Sequence, residues 1–173
     1  MTNCPDDLSE LYYEFGRAAE VAQTMELEAG NLALVYATIL LDTSTITDEQ
    51  RESFQALVQD VNKRTFGNLF RQIQNIGRID DGAIATVNEA LEKRNYLMHK
   101  FFRKHNFAID SAEGRKAMLA EIREIQVSLS LAHAVLSAMT ASLSQLLAKL
   151  FGRKVLSEQE ALRLMAQGKR VDI

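Results

Sequence analysis

Ten apolar residues spaced alternately four and three apart dominate the C-terminal half of the chain: Met118, Ile122, Ile125, Leu129, Ala132, Leu136, Met139, Leu143, Leu146 and Leu150. That alternation keeps side chains on one face of an α-helix. At 1.5 Å per residue the stripe is about 48 Å long. The fold must therefore offer it a partner of similar length. A second stripe does so: Leu8, Leu11, Phe15, Ala18, Ala22, Met25, Ala29, Leu32, Tyr36 and Ile39 predict one helix over residues 7–42. Gly16 and Gly30 weaken that helix by up to ~1 kcal/mol each relative to alanine. No segment alternates every second residue as a strand does, and no internal repeat is present. Two long helices of matching length with shorter ones between them point to an all-α, antiparallel bundle of about five helices.

The shorter elements follow from local signals. Asp42-Thr43-Ser44-Thr45 ends the first periodicity with side chains that compete for backbone hydrogen bonds. Thr47 and Gln50 form a capping box for a second helix running to about Lys63. A third helix starts near Thr65 and stops at Asn75-Ile76-Gly77, where glycine suits a left-handed cap. Asp80-Asp81 open a fourth, with acidic residues at the positive end of its dipole, and it ends near His105-Asn106. Ser157 with Glu160 caps a short last helix, and the chain from Gly168 reads as a frayed tail. The whole of residues 1–173 is one domain by length.

Composition excludes several classes. The 173 residues include one cysteine, Cys4, so a disulfide framework is ruled out, and Cys4 itself is expected to be inert. A net charge of −3 gives no general attraction to nucleic acid. Any RNA contact must come from a local basic patch. Neither a signal-peptide pattern nor a run of eighteen apolar residues is seen, so a cytoplasmic protein without membrane contact is expected. The three histidines lack zinc-type spacing, no glycine-rich phosphate loop occurs, and neither metal nor cofactor is expected.

One segment breaks the packing pattern. On the fourth helix the stripe runs Ile84, Val87, Leu91, and the next apolar place is taken by Arg94 before Met98 and Phe101 or Phe102 resume it. An unpaired charge on a packed face is costly, so the guanidinium must pair, reach water in a groove or serve an anion. Asn95 and His99 are four apart and share one side of the helix. Arg94 and His99 are five apart, roughly 140° around the axis. A second copy across a dimer axis closes that gap. A histidine near neutral pKa can remove a 2′-hydroxyl proton or protonate a leaving 5′ oxygen. An arginine fork can bind the phosphate and stabilise the charge that develops on it. Asn95 can orient the imidazole or hold a ribose oxygen. Two-fold pairing would supply one histidine as base and one as acid.

Residues 92–102, EKRNYLMHKFF, resemble the active-site segment of the HEPN domain (higher eukaryotes and prokaryotes nucleotide-binding). The resemblance is close over this segment and covers the helix layout loosely. It implies an HEPN-like helical domain over 1–173 with Arg94, Asn95 and His99 as functional positions. It further implies a metal-independent endoribonuclease or RNA-binding protein that acts as a homodimer in a toxin–antitoxin or phage-defence setting. Toxins of this superfamily with nucleotidyltransferase antitoxins often carry a tyrosine two residues after the histidine. Phe101 stands there, so silencing by nucleotide addition at that place is not expected.

Lys93, Lys100, Arg103 and Lys104 surround the motif and form a candidate RNA-binding patch; the alternative is a solvated helix face. His105 is expected to be exposed near the helix end, and His133 to lie in or beside the core. Glu89 and Glu92 suit ordinary helix ion pairs with Lys93 and Arg94. Single-stranded RNA, a second copy of the chain, and an antitoxin or regulator protein are the expected partners. The competing function is a non-catalytic helical adaptor, in which Arg94 sets the register of an interface.

Overall fold

The computed structural model describes residues 6–40, 52, 66–76 and 79–151. The second and last short helices expected from the capping boxes, and the tail, lie outside the described residues apart from Glu52. The described residues form five helices and one short 3₁₀ turn: α1 (Asp6–Leu40), α2 (Phe66–Ile76), α3 (Asp81–His99), α4 (Phe101–Lys104), the turn Ala108–Asp110, and α5 (Ala112–Phe151). No strand occurs among them. The all-α bundle expected from the periodicity is what forms.

Both long stripes are buried as their spacing requires. Leu11, Ala18, Ala22, Met25, Ala29 and Leu32 of α1 share one core with Met118, Ile122, Ile125, Leu129, Ala132 and Leu136 of α5. Val87, Ala90 and Leu97 of α3, Phe101 of α4, and Phe66, Phe70 and Ile73 of α2 close it. No polar or charged residue is buried among the described residues. Beyond Leu136 the α5 stripe opens: Met139 and Leu143 are partly covered and Leu146 is exposed.

The long helices run parallel, where matched lengths had suggested an antiparallel pair. Arg115 meets Asp7, Arg123 meets Glu10 and Gln126 meets Glu14, so both numbers rise together. The antiparallel element is α3. Its Lys93 reaches Ser128 of α5 while its later Tyr96 lies at the level of Glu121. On the α1 side, Arg94 meets Glu26, and beyond the end of α3 Phe102 meets Phe15 and Tyr12. One descending helix thus joins two ascending ones.

Local chemistry sets the ends. Asp80 caps α3 as expected, its carboxylate accepting from the amides of Gly82 at 2.9 Å and Ala83 at 3.1 Å. The α3 helix stops at His99, about six residues sooner than its pattern suggested. Lys100 leaves helical geometry at φ −128° and ψ −21°, and the chain restarts as the four-residue α4. Ser111 caps α5 through its hydroxyl, which accepts from the Gly114 amide at 3.0 Å. Gly114 is required by close approach: a Cβ there would sit 2.0 Å from the carbonyl oxygen of Ala108.

By length and composition, α5 is long and apolar enough to cross a membrane, the one such helix among the described residues.

Candidate functional site

The buried line of α3 runs Val87, Ala90, Leu97 and then Phe101 of α4. The line alternates steps of three and four from Val87 to Phe101, and that alternation places Arg94 between Ala90 and Leu97. Leu97, and not Met98, resumes the line; Met98 is 40% exposed. The guanidinium is tolerated because it turns toward α1. Its Nη2 contacts Oε1 of Glu26, with side-chain exposures of 26% and 31%. That carboxylate oxygen is shut off from solvent and forms no well-aligned hydrogen bond, so the contact is a close ion pair rather than a directed bond. Nη1 donates to Oδ1 of Asn95 at 3.0 Å.

Asn95 and His99 both face solvent. Their four-residue spacing puts them on one side of α3. The His99 side chain has no hydrogen bond or ion pair among the described residues. Asn95 is therefore the link between the half-buried guanidinium and the outer face that carries the imidazole. Within one chain Arg94 and His99 point about 140° apart and form no direct bond.

The four cations proposed as an RNA patch divide in two. Lys93 is held at 2.8 Å from Glu89 and donates to Ser128 at 2.6 Å. Hydrogen bonds and charge from Lys93 hold the Glu89 carboxyl below its usual range. Lys104 pairs with Glu121 at 3.0 Å and stands 5.2 Å from the Tyr96 ring centre. Hydrogen bonding to Glu121 and Tyr96 raises the Lys104 ammonium. Lys100 and Arg103 are exposed and make no ion pair among the described residues. Two of these four cations are thus left unpaired beside His99 among the described residues.

His105 overturns its expected position at an open helix end. Its side chain is only 13% exposed, with Nε2 at 2.6 Å from Glu121 and the ring centre 4.9 Å from that of Phe101. The early stop of α3 causes this, because α4 bends the imidazole back onto α5. Tyr96 lies beside it, its hydroxyl 3.5 Å from the same nitrogen, and burial pushes the phenol up. This cluster ties α4 to α5 just past the motif. His133 is half-buried on α5, in keeping with a core flank.

Sequence reasoning missed Glu26, the residue that answers Arg94. It stands next to Met25 on α1 and carries no local mark of its role. Among the described residues no group of three or more His, Cys, Asp or Glu is placed to hold a metal. An open cleft of about 320 Å³ lies among Tyr36, Ile79, Asp80, Ala83, Met139 and Leu143. It is some 14 residues up α3 from Arg94, about 21 Å along the axis. It is not part of the motif. No family model, curated protein or solved structure matches the chain.

Proposed function

We propose that the chain is an RNA-binding protein of HEPN type that cleaves single-stranded RNA without a metal and acts as a homodimer. The observation that carries this reading is Arg94 on the buried line of α3, coupled through Asn95 to the solvent-facing side that holds His99. In this reading Lys100 and Arg103 draw the phosphate backbone to that side. The His99 imidazole accepts the ribose 2′-hydroxyl proton, and the oxygen so exposed bonds to the adjacent phosphorus. The bond from phosphorus to the 5′ oxygen breaks, leaving a 2′,3′-cyclic phosphate, and the departing oxygen takes a proton from water. Arg94 holds Asn95 in place and stands behind the developing charge. A toxin–antitoxin or phage-defence role suits such an activity, with an antitoxin or regulator as the protein that restrains it.

The test is purified full-length chain on single-stranded RNA with a chelator present. Cleavage that disappears in His99→Ala is expected, and the exposed site means that this variant folds. Equal residual background from wild type and variant rejects cleavage.

A second reading draws on the Glu26 contact. With its charge already answered, Arg94 can be a clamp between α1 and α3 in a silent helical adaptor. Arg94→Ala then lowers stability, and neither it nor His99→Ala alters RNA affinity.

A further inference from the structure

From Val127 to Ala148 the chain runs 22 residues without an Asp, Glu, Lys or Arg. One side of this stretch is the buried line Leu129, Ala132, Leu136. The opposite side, roughly 180° around α5, is Val127, Leu131, Ala134, Ala138 and Ala141, all exposed. Val127 is 70% exposed and Leu131 57%. A solvent-facing stripe with steps of four and three is the pattern of a second packed face, left open here. The outer side of α1 is different: Glu10, Arg17 and Glu20 stand on it.

The charges that end the stripe identify what covers it. Glu124 and Lys149 are exposed, carry no ion pair among the described residues, and mark its two limits. We propose that the outer face of α5 is the self-association surface of this protein, taking the same face of a second copy in antiparallel orientation about a two-fold axis at Leu136. That register sets Val127 opposite Gln145, Leu131 opposite Ala141 and Ala134 opposite Ala138, so the bulkiest side chain of the stripe meets an alanine. It also brings Glu124 within one residue of the other protomer's Lys149, twice. Parallel pairing sets Glu124 against Glu124 and Lys149 against Lys149, which repel. A bilayer is the poorer occupant. The inner side of α5 is bound to α1, and the exposed charges of α1 would have to enter hydrocarbon with it.

The paired segment is about 38 Å long, a single helix-on-helix contact at the low end of interface sizes, so the dimer dissociates on dilution. The inference does not depend on the RNA reading, but it has a consequence for it. His99 lies between the levels of Glu121 and Ser128. The two imidazoles are then about 36 Å apart along the axis, and each site works from one chain.

Sedimentation of the full-length chain over a dilution series tests this, with circular dichroism as the folding control. Wild type is expected to pass from dimer to monomer. Glu124→Lys and Lys149→Glu should each weaken association about tenfold, and the two together should restore it. Leu131→Lys should give monomer. In a Cys4→Ser background, a spin label at Val127→Cys should report about 27 Å along the axis between protomers. A wild type that is monomeric throughout overturns the proposal. So does a double reversal no better than the single ones, or a label distance short enough for parallel helices. Flotation of wild type with phosphatidylcholine vesicles that Leu131→Lys abolishes assigns the face to a bilayer and overturns it equally.

Discussion

The contact between Arg94 and Glu26 can be weighed by a four-protein cycle: wild type, Arg94→Ala, Glu26→Ala and the double variant. Both side chains are about 70% covered, which places the pair between two known limits. Exposed pairs contribute up to ~1 kcal/mol, and removing one member of a fully buried pair costs roughly 3–5 kcal/mol. Arg94→Ala strands a carboxylate oxygen that has no water contact. The expected loss is therefore roughly 2 kcal/mol, with a coupling of about 1 kcal/mol between the two sites. For a chain of this length, that loss lowers the melting temperature by about 4–8 °C. Urea unfolding at pH 7 measures all four corners. Partial burial also limits screening, so the coupling should survive 0.5 M salt better than a surface pair does. A coupling below ~0.3 kcal/mol refutes the argument that this ion pair is what admits a charge to the buried line. Glu26→Gln adds a functional arm. Freeing the guanidinium should tighten RNA binding if Arg94 serves a phosphate, and should leave it unchanged in the adaptor reading.

Two further outcomes follow from packing and titration. Gly114→Ala should destabilise by more than ~2 kcal/mol in thermal unfolding, since its Cβ meets backbone at 2.0 Å and the Ala108–Asp110 turn must move; a change within ~0.5 kcal/mol contradicts the close approach. Burial pushes the Glu121 carboxyl up, but Tyr96, Lys104 and His105 pull harder, so it titrates below its ordinary 4.5. A lowered folded value means that the stabilisation is complete above the ordinary value and disappears as pH falls through the folded one. The stability gap between wild type and Glu121→Gln should thus hold at pH 6 and shrink in acid. A gap that widens on acidification shows the opposite sign.

The parts of the fold legible in sequence are those fixed by periodicity. Both long stripes were visible because a helix repeats its buried face every three or four residues, and Asp80 announced the start of α3 by its chemistry. Direction was not legible: a stripe reads the same whether its partner ascends or descends. The parallel pairing of α1 and α5 rests on contacts such as Asp7 with Arg115, which no local pattern encodes. Arg94 stood out as a charge where an apolar residue was due, while Glu26 did not, because a glutamate beside a stripe is ordinary. His105 was misplaced for one reason. Nothing between Met98 and Arg103 signals that the helix turns at Lys100, and a continuous helix would have carried the imidazole outward.

Descending α3 between two ascending partners has a kinetic consequence. Its contacts with α5 close shorter loops, as Lys93 with Ser128 at a separation of 35 residues, whereas α1 reaches α5 across more than a hundred, as Glu14 with Gln126 at 112. Closing the longer loop costs about 1 kcal/mol more in chain entropy. The hairpin of α3 and α5 should accordingly be organised in the folding transition state before α1 arrives, with φ-values at Leu97 above those at Ala18. The N-terminal helix is then the last to join, and Glu26 reaches the motif only when folding is nearly done.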